Sequence, residues 1–366
     1  MNEELGAARA NNPLTRIIDA ALQRDGGWLS FDRFMALALY APGLGYYANA
    51  SRKFGRMPGS GSDFVTAPEL TPLFGRTLAL QLAEALDRTG TDEIWEFGAG
   101  SGALAAQLLG ALGERVARYR IVDLSGTLRE RQQQALVPWA AKVEWLSELP
   151  ARMRGVVVGN EVLDAMPVQL LARRGGAWLE RGVIAQDVGF GWQDRPTELR
   201  PPVEIAGVHD YLTEIHPQAR AFIATLAERL EQGAAFFVDY GFPEAEYYHP
   251  QRHMGTVMCH RGHQADADPL AHVGAKDITA HVDFTGIALA GQDAGLAVLG
   301  YTSQARFLLN AGLLPMMEEA SLAERTLAAR LIHEHEMGEL FKVIGFAAGD
   351  GWDAIGFAEG DRSHTL

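Results

Sequence analysis

The sequence predicts an α/β protein built on a mostly parallel sheet, with an N-terminal helical extension and two insertions. Short apolar runs alternate with helical patterns from about residue 89 onward, as strands and crossover helices do in parallel sheets. A glycine-rich turn separates the first of these runs from the helix that follows it. Near the C-terminus, two further strand patterns flank a helical segment and are typical of a terminal hairpin.

Composition restricts the classes of partner. The chain has 366 residues, 48% of them hydrophobic, which is enough for one large domain with insertions or for two domains. A net charge of -14 argues against nucleic acid and anionic membrane surfaces as partners. The sequence shows neither an apolar run of membrane-spanning length nor a signal-peptide pattern at residues 1–12. We therefore expect no membrane insertion and a cytoplasmic location.

Residues 1–88 are predicted to form a helical extension with a lid-like loop. Apolar residues recur at helical spacing between Leu14 and Leu39, which predicts two helices. Residues 53–61 combine glycine and proline with basic side chains, a composition of surface loops, and whether they close over a site stays open. Pro72 then begins an apolar helix that runs to about Leu86.

Residues 89–366 are predicted to form one Rossmann-like domain that carries both insertions. The insertion at about 168–203 has the alternation of short antiparallel strands, and the one at about 242–282 is rich in glycine, histidine and aspartate. The strands of the sheet are expected at Ile94–Phe97, Tyr119–Asp123, Val143–Leu146, Gly155–Gly159, Ala234–Tyr240, Ala297–Tyr301 and Phe341–Ala347.

The first β-α turn, Glu96 to Gly102, is a candidate cofactor site. Glycine lets the backbone approach a ligand closely, so Gly98, Gly100 and Gly102 are candidate contacts. The same turn also fits the dinucleotide fingerprint, and its glycines alone do not choose between a nicotinamide cofactor and S-adenosylmethionine (SAM). Three features favour SAM: the odd-spaced third glycine, the late position of the strand, and Glu96, which can pair with an ammonium group.

Asp123 ends the second strand, where a carboxylate can accept hydrogen bonds from ribose hydroxyls of either cofactor. A turn or N-cap role for Asp123, and a helix-dipole role for Glu96, are the alternatives.

The fourth strand leads into Asn160-Glu161-Val162-Leu163-Asp164-Ala165-Met166-Pro167. Ligands of open α/β sheets bind beyond the carboxyl ends of strands, so Asn160, Glu161 and Asp164 are predicted to face the cleft. Paired carboxylates can hold a guanidinium by two hydrogen bonds, which makes Glu161 and Asp164 suited to an arginine acceptor. Alternatively, Asp164 caps a turn and only Glu161 faces the cleft.

The chain resembles the MidA/NDUFAF-seven-type SAM-dependent methyltransferases, which include the mitochondrial complex I assembly arginine methyltransferase. The resemblance rests on six ordered blocks: Leu39–Tyr47, Asp63–Glu69, the glycine turn Glu96–Gly102, Asn160–Pro167, Asp239–Gly241 and Asp277–Phe284. It implies a class I methyltransferase fold, SAM as methyl donor and, in the mitochondrial members, protein arginine as acceptor.

The resemblance also implies site residues. Thr66, Pro68 and Glu69 would line the cofactor cleft, while Glu161 and Asp164 would face the acceptor. Helix initiation is the alternative for residues 66–69. This chain lacks the arginine and threonine that many members carry in the glycine turn, where it has Ser101 and Ala103.

Histidines and the single cysteine complete the candidates. His281 and Asp283 precede a predicted helix and could border the acceptor entrance, with capping as the alternative for Asp283. Cys259 and the nearby His260, His263 and His272 suggest zinc, but they lack paired metal-ligand spacing, so no metal is predicted. Tyr46 and Tyr47 could shape a lid or simply pack after the Pro-Gly turn.

These observations predict a SAM-dependent methyltransferase whose acceptor is a protein arginine, with respiratory complex I as the family context. Catalytic roles are assigned to Glu161, Asp164 and His281, and a cofactor contact to Asn160 as well as to Glu161. A SAM-binding assembly factor without activity and a nicotinamide oxidoreductase are the rival hypotheses. Homodimer formation stays open.

Overall fold

The computed structural model describes residues 12–49, 65–123, 126–262 and 264–366. The predicted lid-like stretch 53–61 and His263 lie outside the described residues. The helices are α1 (Pro13–Arg24), α2 (Phe31–Tyr40), α3 (Ala67–Leu70), α4 (Pro72–Thr89), α5 (Ala103–Leu112), α6 (Gly126–Ala135), α7 (Pro217–Arg229), α8 (Glu244–Tyr247), α9 (Phe284–Asp293), α10 (Gln304–Asn310), α11 (Leu313–Glu319) and α12 (Leu322–Ile332). The strands are β1 (Leu29–Ser30), β2 (Glu93–Phe97), β3 (Arg118–Val122), β4 (Val143–Leu146), β5 (Met153–Asn160), β6 (Gln169–Arg174), β7 (Ala177–Ala185), β8 (Phe190–Pro196), β9 (Tyr211–Ile215), β10 (Leu230–Phe242), β11 (Met258–Arg261), β12 (Gln264–Asp266), β13 (Asp277–Thr279), β14 (Val282–Asp283), β15 (Leu296–Ser303) and β16 (Phe341–Ala348).

The central sheet has the order β15-β16-β10-β5-β2-β3-β4, with the short β14 beside β10. Neighbours from β10 through β5, β2 and β3 to β4 are parallel, and β16 runs antiparallel to both β10 and β15. The predicted α/β fold with a mostly parallel sheet and a C-terminal hairpin is therefore confirmed.

Strand β5 shows why the sheet lies between two layers of helices. Its valines at 156, 157 and 158 are fully buried, as expected where both faces of a parallel sheet are covered. Because side chains alternate along a strand, Val156 and Val158 pack with residues of α4 and α5, whereas Val157 packs with α7 and α9. The continuous apolar run in the sequence follows from this double burial.

The strand order reverses beside β2. The chain passes from β2 to β3 and β4 on one side, and then returns to place β5 and β10 on the other side. Such a reversal opens a crevice at the carboxyl ends of the strands, where ligands bind in open α/β sheets. The glycine turn after β2 and the residues that follow β5 both lie at this crevice.

The first predicted insertion belongs to a five-stranded sheet that extends beyond it. Strands β6, β7 and β8 confirm the antiparallel pattern within 168–203, but the same sheet also takes in β9 at Tyr211–Ile215 and β1 from the N-terminal extension. Leu29 pairs with Val183 across this join. The sheet therefore links the N-terminal helices to the insertion.

The second insertion forms a small sheet of its own, in the order β12-β11-β13. Its buried Cys259 and Ile278 belong to the same apolar cluster as Phe34 and Leu39 of α2. The N-terminal extension and both insertions thus pack together. The boundary at residue 88 stays a prediction, although α4 packs into the core of the central sheet through Phe74. Across the described residues, we find no helix that combines the length and the apolar character needed to cross a membrane.

Candidate active site

A cavity of about 830 Å³ lies at the carboxyl ends of the central strands. It brings together nearly all of the predicted site residues: Thr66, Pro68, Glu69, Glu96, Gly98, Gly100, Asp123, Asn160, Glu161, Asp164 and His281. Gly102 does not line it. Gly102 instead sits at the N-cap of α5 with a φ of 85°, where a Cβ would lie 3.3 Å from Gln132 Cα. Its role is to let the turn pack against α6, so the predicted direct cofactor contact is not supported by its position.

Glu96 lines the cavity near the end of β2. It is only 2% exposed, and its carboxylate accepts a hydrogen bond of 2.7 Å from the Tyr119 hydroxyl. Burial raises the pKa of Glu96 to about 8, the Tyr119 hydrogen bond lowers it, and the nearby Asp123 raises it further. A cationic ligand at this position would restore the ionised form.

Asp123 is held by a glutamine that the sequence analysis missed. The Gln132 amide donates to Asp123 Oδ2 at 2.8 Å and to the Gly100 carbonyl oxygen at 3.1 Å. Its own oxygen accepts from the Trp145 indole at 2.9 Å. Gln132 is fully buried and so fixes the glycine turn and Asp123 relative to each other. A polar residue in a helix with little apolar periodicity gave no sequence signal for this role.

Residues 66–69 are tied to the glycine turn by two contacts. The Ser101 hydroxyl donates to the Glu69 carboxylate, and the Gln107 amide on α5 donates to the Pro68 carbonyl oxygen at 2.8 Å. The Thr66 side chain makes no capping hydrogen bond, whereas Thr71 caps α4 through the Leu73 amide. Thr66 is nevertheless the N-cap residue of α3, whose first turn contains Pro68, so residues 66–69 begin a helix as well as line the cavity.

Glu161 has an unusual backbone at the end of β5. Its φ is 54°, in the left-handed region that non-glycine residues seldom occupy and that is often found at functional sites. The Asn160 amide donates to Glu161 Oε1 at 3.1 Å. Burial raises the pKa of Glu161 to about 8, and the neighbouring Asp164 raises it further.

The segment after Glu161 is anchored by Asp239 of β10. The Oδ2 atom of this fully buried residue accepts hydrogen bonds from three successive amides, those of Val162, Leu163 and Asp164, at 3.1, 2.8 and 3.2 Å. Asp239 thereby holds Glu161 and Asp164 at the cavity. Asp239 belongs to the block Asp239–Gly241, but nothing in the sequence indicates this anchoring role.

Asp164 points its side chain toward the cavity. Its Oδ2 atom accepts a hydrogen bond of 2.6 Å from the Tyr240 hydroxyl. Burial raises the pKa of Asp164 to about 6, while the Tyr240 hydrogen bond lowers it. Both carboxylates of the predicted pair therefore line the cavity.

His281 lines the cavity between two aromatic rings, with centroids 5.3 Å from Tyr240 and 5.1 Å from Phe242. Burial, with Arg252 and Lys342 nearby, lowers the pKa of His281 to about 4, so its imidazole is neutral at pH 7.

Asp283 caps α9 through the Gly286 amide, which confirms the capping alternative for that residue.

The N-terminal extension supplies further residues that the sequence analysis did not assign to a site. Tyr40 and Tyr47 line the cavity, together with Asp277 of β13. Tyr46 is buried beneath them at 1% exposure, so packing describes its role. The block Leu39–Tyr47 was the available signal, because it combines aromatic residues with a Pro-Gly turn.

Among the residues that the structure describes, no group of three or more His, Cys, Asp or Glu side chains is placed so that it could bind a metal ion. Cys259 is fully buried, and burial raises the pKa of its thiol to about 12, so it is not a reactive thiolate.

Comparison with known proteins places this cavity in context. A family model described as an S-adenosyl-L-methionine-dependent methyltransferase matches residues 77–302. The mitochondrial protein arginine methyltransferase NDUFAF7 of Danio rerio is 27% identical over 350 residues, which cover 85% of this chain and 80% of that protein. Human NDUFAF7 is 25% identical over 386 residues, which cover 92% of this chain and 84% of that protein. A solved Burkholderia thailandensis protein bound to S-adenosyl-homocysteine is 49% identical with a TM-score of 0.91, covering 100% of this chain and 97% of that one.

Proposed function

Because the chain belongs to the family of SAM-dependent methyltransferases whose model it matches, we propose that it methylates a guanidinium nitrogen of arginine in a protein acceptor. One observation supports arginine as the acceptor. The carboxylates of Glu161, Asp164 and Asp277 line the same cavity as the glycine turn. Arg252 is the sole lysine or arginine among the described residues that line it, and its guanidinium is engaged by Glu246 at 2.9 Å. The cavity therefore favours a cation.

SAM is the methyl donor of the family, and this decides against the nicotinamide alternative. The residues on the cofactor side fit it. Glu96 and Asp123 offer carboxylates for an ammonium group and for ribose hydroxyls, and the buried Asn160 Oδ1 has no hydrogen-bond partner among the described residues. SAM supplies an electrophilic methyl group, so a C–S bond breaks as the new N–C bond forms.

The acceptor side has two tasks in this proposal. Glu161 and Asp164 hold the guanidinium so that one nitrogen is directed at the methyl group, because orientation supplies much of the rate enhancement in a group transfer. The nitrogen must also lose a proton as it is methylated. The ionised Glu161 carboxylate accepts that proton, and its raised pKa suits it to do so near neutral pH.

The names of the relatives support arginine as the methylated residue, since the Danio rerio and human proteins are both named protein arginine methyltransferases. We extend the proposal, on the family resemblance, to an acceptor related to respiratory complex I. A cytoplasmic location and a homodimer stay predictions.

The test is methyl transfer from labelled SAM to the proteins of a cell lysate, followed by hydrolysis and identification of the labelled amino acid. Label in methylarginine, strongly reduced in a folded Glu161→Gln variant, is the expected result. Label in another amino acid would contradict the arginine assignment. SAM binding without transfer to any protein would favour the rival hypothesis of an assembly factor without activity.

A further inference from the structure

We propose that Tyr40 and Tyr47, with Asp277, form the wall of the acceptor subsite that selects a planar guanidinium over an ammonium ion. This inference rests on the proposed function, because it concerns how the same cavity distinguishes arginine from lysine. None of the three residues belongs to the glycine turn or to the segment after β5. They are delivered by the N-terminal extension and the second insertion.

The two tyrosine rings are stacked. Their centroids lie 5.6 Å apart and their planes differ by 18°. The Tyr40 hydroxyl donates to the Ala165 carbonyl oxygen at 2.8 Å, and the Tyr47 hydroxyl donates to Asp277 Oδ2 at 2.9 Å. Both hydroxyl groups therefore donate their protons to acceptors within the protein. The rings, which are half-buried, provide aromatic surface to the cavity that they line.

The backbone after α2 is built to bring these rings together. The amides of Tyr46 and Tyr47 donate to the carbonyl oxygens of Ala38 and Leu39, each at 2.8 Å, so the chain folds back onto the helix end. A Cβ on Gly45 would lie 2.6 Å from backbone atoms of Ala41 and Leu39. Only glycine allows this close approach. The turn therefore places Tyr47 beside Tyr40.

Asp277 adds negative charge at the edge of the stack. It is 3% exposed, and its Oδ1 atom accepts a hydrogen bond from the Ile278 amide at 2.9 Å, which fixes the carboxylate. Burial and the charges of Asp277 and Asp164 raise the pKa of both tyrosines above the usual 10, so the rings stay neutral phenols. The wall therefore combines aromatic faces with a fixed carboxylate and carries no competing cation.

This combination discriminates between the two cationic side chains. A guanidinium is planar and weakly hydrated, and it can stack on an aromatic face while its N–H groups bond to carboxylates in the plane. An ammonium ion is compact and strongly hydrated, so it gains less from the aromatic face. The carboxylates attract either cation, and the tyrosine pair supplies the preference.

The experiment uses the full chain saturated with S-adenosyl-homocysteine, which leaves only the acceptor side to titrate. Three small probes reproduce the ends of the relevant side chains: propylguanidinium for arginine, butylammonium for lysine, and neutral propylurea as the uncharged analogue. Their affinities are measured by ligand-detected NMR for the wild-type protein, Tyr40→Phe, Tyr40→Leu and Asp277→Asn. Affinity for S-adenosyl-homocysteine and the thermal midpoint show that each variant is folded.

We expect the wild-type protein to bind propylguanidinium about tenfold more tightly than butylammonium, and propylurea more weakly than either. Tyr40→Phe should keep this ratio, because the ring remains, and Tyr40→Leu should reduce it to near one. Asp277→Asn should weaken both cations and leave their ratio unchanged.

Two failures are distinguishable. If the wild-type protein prefers guanidinium but Tyr40→Leu keeps the full preference in a folded protein, the tyrosine wall is wrong and the proposed function stands. If the wild-type protein shows no preference for guanidinium, both the wall and the arginine acceptor are refuted. Should Tyr40→Leu fail to fold, a loss of the ratio in Asp277→Asn would equally overturn the assignment of selectivity to the rings.

Discussion

Replacement of Glu96 by glutamine should make the ligand-free protein more stable while it weakens SAM binding. Glu96 is buried, and its pKa is raised from the usual 4.5 to about 8, chiefly by burial. Between these two pH values the folded protein binds a proton that the unfolded chain has released. The free energy of unfolding therefore falls as the pH rises through this window, because the unfolded state binds fewer protons.

The magnitude follows from the two pKa values. The difference between 4.5 and about 8 corresponds to about 5 kcal/mol of destabilisation once the pH is well above 8. At pH 7, about 3 kcal/mol of this penalty is already present. Glutamine carries no charge but keeps an oxygen that can accept the hydrogen bond from Tyr119. The variant should therefore recover much of this energy.

The assay is urea unfolding of both proteins without SAM at pH 6, 7 and 8.5, with SAM affinity measured by calorimetry. The stability difference should grow with pH, and SAM affinity should fall because the ammonium loses its charged partner. Glu114→Gln is the matched control, since its side chain is 97% exposed and its surface ion pair contributes little. A stability difference that does not change with pH, or a less stable variant at pH 8.5, would refute the reasoning.

Three further predictions concern the same cavity. Gly100→Val should abolish SAM binding in calorimetry, because a φ of 54° disfavours a β-branched residue beside the cofactor; retained affinity would remove the turn from the site. The rate of methyl transfer by the wild-type protein should increase with pH up to about 8 as Glu161 ionises. The rate of Glu161→Gln should be about a hundredfold lower and independent of pH. A pH dependence shared by both proteins would exclude Glu161 as the proton acceptor. Asp239→Ala should cost roughly 3 kcal/mol or more in urea unfolding, since three backbone amides, two of them buried, lose their acceptor; a loss below 1 kcal/mol would mean that water replaces it.

Elements with a strong local pattern were predicted closely. The predicted start of α4 at Pro72 and the limits of β4 agree with the structure, and the strand at Gly155–Gly159 lies within β5. These elements are decided by neighbouring residues: apolar runs bounded by glycine or turns, and apolar positions at helical spacing. The parallel sheet followed because strands separated by helices can pair in few other ways.

Local sequence patterns do not predict the features that distant residues decide. Strand β1 has only two residues and exists because Leu29 pairs with Val183. Gly102 was predicted to contact the cofactor because glycines in such turns look alike in sequence, and that contact stays a prediction. Its contact with Gln132, on the next helix, is a property of how α5 and α6 pack.

The sequence by itself determined the methyltransferase fold, the glycine turn and the carboxylates that follow β5, because each is encoded in a short contiguous stretch. Only the tertiary structure decided that Tyr47 meets Asp277, 230 residues away, at the same cavity as Glu161. It also decided which carboxylates hold protons near neutral pH. Such pKa changes arise from the loss of water around a side chain, and that loss depends on everything that packs over it.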